Sequence, residues 1–245
     1  MMTKKLVLFL LLTLALNSFG QGVRIDTLLF SGSKIQNEFP VVTLKFPIVK
    51  TGTFEIDTLI NEDIKNRFTA NEFMNLPTDL ALVKWADDSI VYLDFEVTYN
   101  KNELVSLNIS AEGCGANCTM WTSYFTYSTK TGTFVAIDEI VTLTDAFRRD
   151  VIFDKDQQYD KQKKELKDML DDSNSGLDAQ TYSWVLENYE TCKKDFTISE
   201  FALYEDHLEF IHECHLPRAI RSLSPIITLK YNYDMLKHLL IKPLY

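Results

Sequence analysis

The sequence lacks a long apolar run, an excess of basic residues and the short motifs of several enzyme classes. Its longest apolar stretch, residues 6–16, has 11 residues, whereas a helix needs about 20 to cross a bilayer. We therefore expect no transmembrane anchor. The formal net charge of −10 argues against nucleic acid as a partner, because such a ligand requires a basic surface. There is no Gly-x-Ser-x-Gly elbow, Cys-x-x-Cys pair or calcium loop, and we expect no cofactor.

The first 20 residues have the three parts of a secretory signal peptide. Lys4 and Lys5 form the positive segment, residues 6–16 form the apolar segment, and Ser18 and Gly20 are small residues near the cleavage position. We therefore expect a signal peptide at residues 1–20, a mature chain at residues 21–245, and an exported protein in the periplasm or outside the cell. An uncleaved membrane anchor is the alternative.

Only four cysteines occur, and none of them lies in the signal segment. An even number in an exported chain indicates disulfide bonds, and four cysteines allow three pairings. Cys114 and Cys118 are separated by a three-residue loop that contains glycine, so a local bridge between them is feasible. That bridge leaves Cys192 to pair with Cys214.

Alternating apolar and polar residues predict strands through much of the chain, and they are clearest at residues 91–99, 104–110 and 120–127. The last two flank the Cys114–Cys118 loop and form a meander with a short strand predicted at 134–137. Residues 54–68 have helical spacing, with Thr53 as the N-cap. Further strands are predicted at 23–30, 41–49, 196–204, 207–214 and 226–231, and further helices at 80–85, 155–172, 182–189 and 235–240, with a helical turn at 144–150. No linker or repeat divides the chain, so we predict a single α+β domain with a mostly antiparallel sheet and several packed helices.

Short segments along the mature chain resemble an extracytoplasmic family, the domain of unknown function 3298 (DUF3298), which is usually found with its companion DUF4163. The matching segments are residues 59–64 (LINEDI), 95–100 (FEVTYN) with 104–107, 113–117 (GCGAN), 131–140 and 217–219. In the family the third segment often reads Gly-Gly-Ala-His, and here Asn117 stands where histidine is common. The resemblance implies an extracytoplasmic domain: members of this family occur in a lysozyme-sensing anti-sigma factor, beside polysaccharide deacetylases and, more often, alone with no assigned role.

Aromatic residues follow the cysteine loop and provide the candidate binding site. A loop closed by Cys114 and Cys118 would hold Asn117 in few conformations, so its donor and acceptor could bind at a small entropic cost. Trp121 and Tyr124 would supply stacking area for a sugar ring. We expect a non-catalytic domain whose partner is a cell-wall glycan or an envelope protein that acts on the wall, such as lysozyme. The alternative is that this aromatic strand belongs to the core.

Two other functions use different residues or none. An envelope polysaccharide hydrolase or deacetylase-like enzyme would use His212 or His215 as base or ligand. A purely structural periplasmic protein would need no ligand. Zinc is the chemical alternative for residues 207–215, but alternation along a strand places His212 and Cys214 on one face and His207 and His215 on the other. We therefore predict no metal site and no catalytic residue.

Overall fold

The structure is a computed structural model that describes residues 22–32, 43–87, 90–114 and 118–244. Within these ranges it contains three antiparallel sheets and five α-helices, which confirms the predicted α+β class. The predicted signal peptide and Asn117 lie outside the described residues, so the domain boundary after residue 20 stays a prediction. The chain divides into two compact units, each described by itself below.

The first unit contains the described residues up to Val135, together with Leu203–Glu205 and Leu244. It has a two-stranded sheet, two helices and a three-stranded meander in which neighbouring strands are antiparallel. Its elements are β1 (Arg24–Phe30), β2 (Leu44–Lys50), α1 (Phe54–Phe68), α2 (Thr78–Ala86), β3 (Ile90–Lys101), β4 (Leu104–Cys114) and β5 (Cys118–Ser128).

The core of the first unit lies between the two helices and one face of the meander. Helix α1 contributes Ile60, Ile64 and Phe68 at helical spacing, and each of them is buried. The rings of Phe68 and Trp85 lie 4.8 Å apart and link α1 to α2. Lys65 is also buried. Its ammonium forms an ion pair with Glu62 and donates to the carbonyl of Leu76 at 2.9 Å, so the buried charge is compensated.

The second unit contains Ala136–Ala202 and Asp206–Pro243. Two long helices accompany a sheet whose strand order is β6-β7-β8, and two 3-10 turns lie at Ile137–Glu139 and Arg218–Leu223. Its other elements are α3 (Asp145–Asp171), α4 (Ala179–Asp195), β6 (Phe201–Leu203, of which Phe201 and Ala202 belong to this unit), β7 (His207–Glu213), β8 (Ile226–Asn232) and α5 (Tyr233–Leu236).

Helix α3 differs most from its prediction, because the expected turn at 144–150 and the helix at 155–172 are one helix of 27 residues. The hydroxyl of Thr144 accepts from the amide of Phe147 and caps its start. The charged middle remains helical because Val151, Tyr159 and Leu166 are buried along one side. Three other segments were predicted too long. Residues 134–137 form only a bridge at Phe134, the strand at 196–204 is limited to β6, and the helix predicted at 235–240 ends at Leu236.

Both predicted disulfides are confirmed. Cys114 and Cys118 close the tip of the β4–β5 hairpin, and Cys192 near the end of α4 bonds to Cys214, directly after β7. Each pair therefore joins two elements of the same unit. None of the described helices has the length and apolar character needed to span a membrane.

Candidate functional site

The meander β3–β4–β5 has one face on the core and one face towards solvent, as expected where apolar and polar residues alternate. The strand register aligns nine residues of the solvent side in three rows, and we call this surface the outer face. The rows are Tyr92, Glu112 and Met120; Asp94, Ser110 and Thr122; and Glu96, Asn108 and Tyr124.

Hydrogen bonds between neighbouring strands hold several of these polar groups in place. The hydroxyls of Ser110 and Thr122 lie 3.0 Å apart, and the amide nitrogen of Asn108 donates to Glu96 at 3.2 Å. At the edge of the face, the ammonium of Lys45 donates to Asp94 at 2.8 Å. That hydrogen bond lowers the pKa of the Asp94 carboxyl, and the ammonium of Lys45 neutralises the charge of the carboxylate.

The apolar part of the outer face lies towards the disulfide at the hairpin tip. Tyr92 is 39% exposed and Met120 is 61% exposed, and both are aligned with Glu112 between them. Tyr124 is half-buried on the same face, two rows further along the meander. Aromatic side chains with fixed amide, hydroxyl and carboxylate groups beside them are suited to stacking on a flat ligand and bonding its edge.

The structure separates two of the three predicted binding residues. Tyr124 belongs to the outer face, whereas Trp121 points to the opposite side of β5 and packs against the core cluster. The indole of Trp121 meets that of Trp85 edge-on at 6.2 Å, and a Cβ added at Gly113 would lie 3.4 Å from the same indole. Asn117 lies outside the described residues. Tyr92, which sequence reasoning did not select, is the aromatic residue that shares a face with Tyr124.

The chemical groups near the hairpin tip do not form a thiolate metal site. The ligand atoms of Glu112, Cys114 and Cys118 lie within 4.8 Å of one another. Both sulfur atoms are, however, joined in the disulfide, and only a free thiolate is an effective ligand for zinc.

The histidines proposed as a catalytic base have different surroundings. A ring nitrogen of His212 lies 3.0 Å from the carbonyl of Cys192, and burial lowers the pKa of the imidazole. His215 is exposed after β7. The second unit also contains a cavity of about 360 Å³, which is lined by His238, Asp150, Asp154, Tyr231 and several apolar side chains. This cavity has the residue types required by the enzyme hypothesis, although at His238 instead of His212 or His215.

Comparisons with known proteins relate the chain to solved structures only. No family model matches the sequence, and no curated protein sequence does. A DUF3298 family member from Bacteroides fragilis superposes with a TM-score of 0.52 at 14% identity, over 90% of this chain and 95% of that one. A DUF3298 family protein from Pseudomonas aeruginosa PAO1 superposes with a TM-score of 0.50 at 14% identity, over the same shares of the two chains. The chain has the DUF3298 fold. The resemblance noted in the sequence is thereby confirmed at the level of the fold, while the companion DUF4163 assignment stays a prediction.

Proposed function

We propose that the protein is an exported, non-catalytic binding domain that recognises a cell-wall glycan on the outer face. The observation that carries the proposal is the placement of Tyr92 and Tyr124 on one solvent-facing surface with hydrogen-bonded polar groups between them. Sugar rings present apolar C–H faces and hydroxyl edges, which require both kinds of group in a binding site. Of the binding residues predicted from the sequence, Tyr124 is retained, Tyr92 takes the place of Trp121, and Asn117 stays a prediction.

Two observations support export. The N-terminal sequence has the pattern of a signal peptide, and all four cysteines are paired in disulfides. Disulfides persist in oxidising compartments such as the periplasm and the extracellular space. The proposed ligand, a polymer of the cell wall, would be accessible from either location.

A wall-acting protein such as lysozyme is the second candidate partner, and the charge of the outer face favours it. The nine residues include three carboxylates, Asp94, Glu96 and Glu112, and only Asp94 has an ion-pair partner among the described residues, namely Lys45. A negative surface attracts a basic protein and accelerates its association.

Sedimentation with purified wall sacculi tests the proposal directly. The mature chain, the double variant Tyr92→Ala/Tyr124→Ala and the control Trp184→Ala would be compared; Trp184 is a similarly exposed aromatic on α4. We expect the double variant to bind sacculi about tenfold more weakly, because each ring contact contributes about 0.5–1.5 kcal/mol. The control should bind as the wild type does.

Four outcomes would change the conclusion. Equal binding by the double variant would remove the outer face from the site. Salt-sensitive binding to lysozyme without binding to sacculi would favour the protein partner. Release of soluble sugar or acetate by the wild type would support the enzyme alternative, and the His238 cavity would then be its candidate centre. No binding to either material would leave the purely structural role.

A further inference from the structure

A second cavity of the second unit is basic although the chain as a whole is acidic. It has a volume of about 630 Å³ and lies between α3, the end of α4 and residues 196–198. Four cations and two carboxylates line it: Arg148, Lys155, Lys193, Lys194, Asp156 and Glu190. With a formal net charge of −10 for the whole chain, a lining with an excess of positive charge is a local reversal of the protein's electrostatic character.

The inner part of this basic cavity is a fixed ion-pair network. The ammonium of Lys155, whose side chain is only 8% exposed, lies 3.1 Å from Asp156 and donates to the carbonyl of Lys193 at 3.0 Å. The ammonium of Lys193 lies 3.3 Å from the same carboxylate. Although burial opposes ionisation of Asp156, the two ammonium groups lower the pKa of its carboxyl. One carboxylate is therefore shared by two cations.

The second carboxylate of the lining is also neutralised. Glu190 forms an ion pair with Lys163, which stands outside the lining. Asp156 and Glu190 are both ion-paired with lysines, and the nearby charges of Lys193 and Lys194 also lower the pKa of the Glu190 carboxyl. Four cations against two carboxylates still leave the lining with an excess of positive charge. Among the described residues neither Arg148 nor Lys194 forms an ion pair with a carboxylate. The entrance to the basic cavity therefore keeps a positive charge.

The side chain of Arg148 is oriented by the protein itself. Its Nε donates to the carbonyl of Leu143 at 3.1 Å, and the two terminal nitrogens have no acceptor among the described residues. A guanidinium held in this way can bind a carboxylate or phosphate through two parallel hydrogen bonds. Because this hydrogen bond restricts the side chain, less conformational entropy is lost when the anion binds.

An apolar wall lies beside these cations. Phe196 is half-buried, with the ammonium of Lys155 5.3 Å from its ring centre, and Ile152 is 46% exposed. We propose that the basic cavity binds an anionic sugar, with its ring against Phe196 and Ile152 and its carboxylate or phosphate on Arg148 and Lys194. This site is separate in sequence and chemistry from the outer face, and it does not depend on the function proposed for that face.

Calorimetric titration of the mature protein tests the site with three probes: trigalacturonate, glucose 6-phosphate and the neutral sugar maltotriose. The variant Arg148→Gln/Lys194→Gln removes the two entrance charges. The control Lys161→Gln/Lys164→Gln removes the same charge from exposed positions of α3 outside the lining. We expect at least one anionic probe to bind, to weaken with added salt, and to lose tenfold or more in affinity in the first variant only.

Each result has a defined consequence. Binding of trigalacturonate alone identifies a carboxylate as the recognised group, and binding of glucose 6-phosphate alone identifies a phosphate. Equal binding of maltotriose, equal weakening in the control variant, or no binding of either anion overturns the proposal. Lys194 would then only stabilise the C-terminal end of α4, where the helix dipole is negative. If the variant Tyr92→Ala/Tyr124→Ala still binds the anion, the basic cavity binds it without the outer face.

Discussion

Replacement of Trp121 by alanine tests whether this side chain lies on the core face or on the solvent face of the meander. Trp121 is half-buried, packs on the core cluster and contacts Trp85 edge-on. A fully buried tryptophan costs about 3–5 kcal/mol when it is truncated to alanine. Since part of Trp121 remains in solvent, we expect a loss of about 2–3 kcal/mol in the free energy of unfolding, within which the ring pair contributes about 1 kcal/mol.

Tyr124→Ala is the matched comparison because it removes an aromatic ring from the other face of the same strand. We expect this variant to lose about 1 kcal/mol or less, as substitutions at solvent-facing positions usually do. Trp121→Phe should lie between alanine and the wild type, because it keeps an aromatic contact with Trp85.

Urea unfolding followed by far-UV circular dichroism measures these differences. With a slope of about 2–3 kcal/mol per molar urea, Trp121→Ala should lower the unfolding midpoint by about 1 M without changing the slope. Sacculus binding by the folded variant should be retained. If Trp121→Ala is as stable as Tyr124→Ala and no longer binds sacculi, the assignment of Trp121 to the core is incorrect and the original binding hypothesis is restored.

Two further predictions concern stability. Replacing Cys192 and Cys214 by alanine should lower the free energy of unfolding by about 3 kcal/mol. Replacing Cys114 and Cys118 should lower it by less, because the shorter loop restricts the unfolded chain less. Equal losses of stability in thermal unfolding would contradict this. Burial and the charge of Glu213 raise the pKa of Glu200 to about 7 from 4.5. The unfolded chain therefore loses this proton first, and stability should fall as the pH rises from about 4.5 to about 7. Because the residue is partly exposed, we expect only a small effect: Glu200→Gln should be about 1 kcal/mol more stable than the wild type at pH 8 and equally stable at pH 4. Urea titrations at the two pH values measure this, and an equal stability difference at both would refute it.

The sequence allowed the class of the fold, most elements and the Cys114–Cys118 bridge to be predicted, because these features depend on local patterns. The Cys192–Cys214 bridge followed because only four cysteines occur. Helix α1 was predicted at its observed bounds, residues 54–68. Helix α3 was divided, since its polar middle has few apolar residues and only tertiary packing shows that Tyr159 is buried. The basic cavity could not be predicted, because Arg148 and Lys194 are 46 positions apart in the chain and are brought to one cavity by packing in the second unit.

The separation of Trp121 from Tyr124, by contrast, follows from information that the sequence contains. If Cys114 pairs with Cys118 across a hairpin, the antiparallel register continues backwards from that pair and sets Ala111 opposite Trp121, as the structure has it. The odd-numbered positions of β4 at 105, 107, 109 and 111 are all apolar and buried, so odd-numbered positions of β5 must face the core as well. Tyr124 is even-numbered and must face solvent. Trp121 and Tyr124 are three positions apart on one strand, so they cannot share a face. Tyr92 on β3 can share a face with Tyr124, because the register sets both of them opposite solvent-facing residues of β4.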